Sequence, residues 1–127
     1  MPRVFVIDGR DLSTLEEFYE VIGAVLVPGE DWGKNLAAFN DILCWPLNED
    51  PEPYVLVWMH SKVSRKRLND LEAERQLEKH LQYCHVSGRP DVAEKLARAR
   101  RCEGPTVFDW LLEIILEHPD WLTFKLE

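Results

Sequence analysis

The sequence predicts an α/β domain built on a small three-stranded parallel sheet flanked by helices. Three observations carry that expectation. Short apolar runs rich in β-branched residues alternate with helix-periodic segments in the order strand, helices, strand, helices, strand, and strands separated by helices pair in parallel. The chain has 127 residues, the size of one domain, and folding at that length removes roughly two-thirds of the unfolded surface from water. Hydrophobic residues make up 46% and charged residues 30%, the balance of a folded chain and not of a disordered one.

Each element follows in order. Val4-Phe5-Val6-Ile7 is a continuous apolar run ending at Asp8-Gly9, and reads as a strand buried on both faces. Ser13 with Glu16 three residues later forms a capping box, after which Leu15, Phe18, Tyr19 and Ile22 recur at helical spacing until Gly23 ends the helix. Residues 24–27 read as a second apolar element, and Pro28-Gly29-Glu30-Asp31-Trp32-Gly33 as a loop. A helix over 34–43 places Leu36, Phe39 and Leu43 on its buried stripe, Ile42 at the margin, and Lys34, Ala37 and Asp41 on the outward stripe. Trp45-Pro46 ends it, and the proline-rich, acidic residues 46–53 read as a solvated loop.

Tyr54 to Met59 is the clearest strand, again apolar on both faces. Residues 61–85 read as one charged helix with Leu68, Leu71, Leu77 and Leu81 as its apolar contacts. Ser87-Gly88-Arg89-Pro90 breaks the pattern before a short helix over 91–101, and Glu103-Gly104-Pro105 breaks it again. Thr106 caps an apolar helix carrying Phe108, Leu111, Leu112, Ile115 and Leu116, His118-Pro119-Asp120 ends it, and residues 121–126 form the last strand. In this reading helices cover both faces of the sheet.

The formal net charge is −8, and it is not evenly spread. Residues 1–60 hold eleven acids and three bases, whereas residues 61–127 hold twelve of each. An acidic surface repels phosphate backbones, which argues against nucleic acid as a partner, and attracts a basic protein. No apolar run approaches the length of a membrane span, and the start of the chain, Met1 to Asp8, lacks the long apolar stretch of a signal peptide. The odd, widely spaced Cys44, Cys84 and Cys102 suggest reduced thiols in a cytoplasmic setting.

Other chemistries are thinly represented. His80, Cys84, His85 and Cys102 suggest a metal corner but lack a second paired motif at ligand spacing, so neither a metal nor a cofactor is expected. Cys44, at the end of an apolar helix, reads as a packed core thiol. The alternative to a binding protein is a small α/β enzyme, with Asp8, His60 and the loop after Gly29 lining one cleft at the carboxyl ends of the strands. The basic clusters Arg65-Lys66-Arg67 and Arg98 to Arg101 are balanced by interspersed acids and read as solvated helix faces.

The stretch Asp31-Trp32-Gly33-Lys34-Asn35-Leu36-Ala37-Ala38-Phe39-Asn40-Asp41, with the element order around it, resembles the barstar family of intracellular ribonuclease inhibitors. The resemblance covers about residues 4–60 and 105–127, which makes residues 1–127 one barstar-like domain and residues 61–104 a helical insertion before the last helix and strand. It implies no catalytic residues and a one-to-one complex with a basic ribonuclease or toxin nuclease, in the role of antitoxin or immunity protein of a bacterial cytoplasm. Asp41 takes the place of the family's main phosphate mimic. Trp32 packs on the partner or holds the loop down, Asn35 caps the helix, and Gly33 supplies a positive φ or a close approach. Glu30 and Asp31 add charge at the loop tip. The chain departs from the pattern at Ala37, where an acid is usual, at Asn40, where an aromatic is usual, and at Asp31, which replaces the first loop aromatic. The family's last-helix glutamate aligns with Ile114, beside Glu113. A third reading keeps the scaffold as an interaction module with a different partner.

Overall fold

In the computed structural model, residues 3–46, 52–118 and 120–127 are described. Strand β1 (Arg3–Asp8) leads through a 3-10 turn (Gly9–Asp11) into α1 (Leu15–Leu26) and α2 (Leu36–Cys44). Strand β2 (Tyr54–Met59) is followed by α3 (Ser61–Arg67), α4 (Asp70–Tyr83) and α5 (Arg89–Arg100), then α6 (Val107–Leu116) and β3 (Leu122–Leu126). The strands form one sheet in the order β1-β2-β3, parallel throughout. Residues 47–51, most of the expected acidic loop, lie outside the described residues.

Register decides which residues make the core. Phe5, Leu56 and Phe124 are partners, as are Ile7, Trp58 and Leu126, and this face meets the helices. Phe18 of α1 stacks on Trp58 (5.3 Å between centroids), while Phe39 of α2 meets Phe18 and Phe108 of α6 meets Trp58, both edge-on. Such aromatic pairs contribute about 0.5–1.5 kcal/mol each beyond their buried area. The Trp58 indole N–H, buried with the ring, donates to Ser64 Oγ at 2.8 Å, so the centre of the core leaves no donor unmet there.

The opposite face is open, which corrects the expectation of strands buried on both sides. Val4 and Val6 are 60% and 46% exposed, Thr123 and Lys125 are exposed, and Val55 and Val57 between them are half-buried. Valine suits a pleated backbone whether or not anything covers it, so an unbroken apolar run does not reveal that helices lie on one face only.

Three helix boundaries also differ from expectation. The cap of α1 is Thr14, whose hydroxyl accepts from Glu17 N–H; Glu17 reaches back to the Ser13 N–H, so the capping pattern sits one residue later. Gly23 does not end α1: it is buried inside the helix, which continues through the supposed second element to Leu26. The long helix over 61–85 is two. Leu68 is fully buried at the break, its carbonyl accepts from Phe108 N–H, and Asn69 caps α4 through Glu72 N–H. The pattern Asn69-x-x-Glu72 carried that signal. Leu71 consequently faces solvent, at 73% exposure. Pro90 lies in the first turn of α5, where a missing N–H costs nothing, and the expected box at Thr106 is present with Asp109.

Helix α4 is tied back to α1. Buried Glu72 accepts from the Leu15 N–H at 2.7 Å and from Arg75 Nε at 2.6 Å, filling an unpaired donor at the helix start. Glu16 receives Arg75, Gln76 and Lys79. α5 folds back along α4, with Arg100 reaching Glu74 and Glu78.

Candidate partner-binding surface

The segment between α1 and α2 is fastened at several points. The Trp32 ring packs edge-on against Tyr19 (5.5 Å between centroids) and covers Gly23 so closely that a Cβ there would run into the indole nitrogen. Glycine inside a helix costs about 1 kcal/mol relative to alanine; here it makes room for the ring. Gly33 and Lys34 both adopt positive φ, 89° and 48°, which turns the chain sharply into the Asn35 cap. Asn35 Oδ1 accepts from Ala38 N–H at 2.8 Å, as anticipated. Lys34 Nζ pairs with Glu20 at 2.6 Å, and an open hollow of about 320 Å³ lies beside it, lined by Glu16, Tyr19, Glu20, Asn35, Gln76 and Lys79.

What this leaves outward is acidic. Glu30, Asp31 and Asp41 are exposed, as is Ala37 one turn before Asp41. Among the described residues none of the three acids is in an ion pair. Asp41 stands in the last turn of α2, where the helix dipole disfavours a negative charge by about 0.3–1 kcal/mol. No local pairing explains an acid there. Asn40, the neighbouring candidate, is turned sideways: its Oδ1 lies 2.5 Å from His118 Nε2. On α6, Glu113 is exposed and Ile114 half-buried.

Asp8 and His60 do meet, Nδ1 to Oδ1 at 3.0 Å, at the carboxyl ends of β1 and β2. Asp8 is, however, clamped by the Arg10 guanidinium at 2.8 Å and by the Arg10 backbone N–H, which hold its carboxyl well below the usual carboxylate range. The loop after Gly29 packs instead on Tyr19, Glu20 and Gly23 of α1, so the three do not line one cleft. The antiparallel course of α4 and α5 leaves Cys84 at the tip of the hairpin and Cys102 at its other end. Among the described residues no group of three or more His, Cys, Asp and Glu side chains is placed to hold a metal ion. Nor is any helix among them long and apolar enough to cross a membrane.

The family model for barstar, the barnase inhibitor, matches residues 2–102. The chain belongs to the barstar family. The match takes in the loop, α2, the first two strands and α3 to α5, and stops before α6 and β3. Barstar family members are inhibitors, not enzymes, and a ribonuclease is the partner that membership implies. A comparison with curated proteins gives no match.

Proposed function

We propose that this barstar-like protein inhibits a basic ribonuclease or toxin nuclease by seating the 29–41 surface in its active-site cleft. The complex is one-to-one and needs no cofactor, and its role is that of an antitoxin or immunity protein in a bacterial cytoplasm. A ribonuclease cleft is shaped to hold phosphates, and a carboxylate on a rigid scaffold offers the same charge to the same cations. The observation that carries the reading is Asp41: exposed, without an ion pair, and set where its own helix disfavours it. A cation supplied by a partner removes that penalty. Trp32, Asn35 and Gly33 act as supports that fix the loop, Ala37 and Asn40 border the central acid, and Glu30 and Asp31 form its charged rim. Residues 61–104, which carry α3 to α5, brace α1 within one domain.

The test is inhibition and calorimetric titration against ribonucleases and toxin nuclease domains encoded beside this gene. Asp41→Ala should weaken the complex by several kcal/mol, the range of an interface hot spot. A loss below about 1 kcal/mol removes Asp41 from the central role.

A further inference from the structure

Cys44 and His118 read separately in the sequence, one as a core thiol and the other as a helix terminator, but the fold brings them together. Cys44 closes α2 and is half-buried; its Sγ lies 4.0 Å from His118 Nδ1. On the other side of the ring, Nε2 lies 2.5 Å from Asn40 Oδ1. An amide oxygen only accepts, so Nε2 donates to it, and in the neutral ring Nδ1 turns its lone pair toward the sulfur. The Trp121 ring lies against the imidazole, 5.6 Å between centroids, and its own N–H donates to the Leu43 carbonyl at 3.4 Å. A nucleophile, a base within reach and a third group orienting that base is the arrangement that activates a side chain for attack. Neither other cysteine has it. The Cys44 thiol also donates to the Asn40 carbonyl at 3.6 Å, as Cys84 does to that of Leu81, but no hydrogen bond joins Cys84 or the exposed Cys102 to an imidazole among the described residues.

We propose that Cys44 is a thiol–disulfide exchange site that reacts with low-molecular-weight disulfides such as glutathione disulfide, with His118 as base and Asn40 as its positioning residue. The Cys44 proton passes to His118 Nδ1 as the sulfur attacks one sulfur of the disulfide. A protein–small-molecule S–S bond forms, the original S–S bond breaks, and the departing thiolate takes the proton back from the imidazolium. The protein thiol is oxidised and half of the disulfide is reduced, so no further oxidant enters. Burial, and then the nearby Asp41, raise the Cys44 thiol, so attack depends on transfer of its proton to His118.

The test treats the intact protein with glutathione disulfide and follows each cysteine by peptide mass mapping. The expected result is an adduct on Cys44 ahead of one on the more exposed Cys102. His118→Gln should slow the Cys44 adduct about a hundredfold, at the lower edge of what general-base assistance supplies. Asn40→Ala should slow it less, with circular dichroism unchanged in both. Modification of Cys102 with none on Cys44 overturns the assignment, as does a Cys44 rate that His118→Gln leaves unaltered. Should His118→Gln fail to fold, the Cys44-over-Cys102 order in the unmutated chain and the Asn40→Ala rate decide.

Discussion

Two acidic regions of this molecule behave differently. In the α4–α5 hairpin and its flank, Glu72, Glu74, Glu78, Asp91 and Glu103 each lie against an arginine or lysine of the same chain. In the 29–41 surface, Glu30, Asp31 and Asp41 have no such partner among the described residues. The first region neutralises itself and holds the fold. The second leaves its charge exposed, without a cation of the chain paired to it among the described residues. Acid count alone would not separate them, since residues 61–127 hold slightly more acids than residues 1–60; where the cations sit does.

The comparison breaks most sharply at Asp41. Besides weakening a ribonuclease complex, Asp41→Ala should leave the fold unharmed or raise its stability by about 0.3–1 kcal/mol, because it removes a negative charge from a helix carboxyl end. Urea unfolding checks this, and a clear loss of stability would show that the carboxylate serves the fold after all.

Glu72 is the opposite case. It is buried, caps the Leu15 N–H and holds Arg75. Glu72→Ala orphans a buried donor at the start of α1 and should cost about 2–3 kcal/mol of stability. The folded fraction should still bind the ribonuclease with unchanged affinity, measured well below the unfolding midpoint. Gly23→Ala probes the joint between the two regions. Its new methyl meets the Trp32 ring, so overpacking should cost about 1–2 kcal/mol and loosen the loop, with a faster dissociation of the complex as the readout.

Acid titration sharpens the same contrast. Burial pushes Glu16 upward, but hydrogen bonds from Arg75, Lys79 and Gln76 outweigh it and bring the carboxyl down to about 2 from an ordinary 4.5. A carboxyl that is more acidic folded than unfolded stabilises the fold above its unfolded value, and that contribution is lost as pH falls from about 4.5 toward 2. Stability should therefore drop across that window, and Glu16→Gln should flatten the drop. An unchanged slope in unfolding curves collected across this range would show that the α1–α4 tie is not made.

The loop–helix surface was largely legible in the sequence, because its chemistry is local. Asn35 caps three residues on, Gly33 takes positive φ, and the 3.6-residue stripe separates Phe39 and Leu43 from Asp41. Long-range packing was not legible. Gly23 looks like a helix end until Trp32, nine residues later, is seen lying on it, and Leu71 looks like a core contact until the break at Leu68 turns it outward. The valines of β1 have the same strand preference on a covered face as on an open one. Cys44 and His118, 74 positions apart, had no spacing that could announce their meeting.

The smallest expected effect lies at the loop tip. Glu30 and Asp31 are exposed and border the surface without standing on a helix that orders them, so under the proposed function their charge should act mainly during approach. Rim charges of this kind change association rate and its salt dependence more than final affinity. Glu30→Gln with Asp31→Asn should slow association with a basic ribonuclease several-fold at low ionic strength while costing less than about 1 kcal/mol of affinity. The rate gap from the unmutated protein should close as salt rises past the point where the Debye length falls below about 8 Å. A gap that persists in high salt, or that appears in the dissociation rate instead, would move these two acids from the rim into the contact itself, beside Asp41.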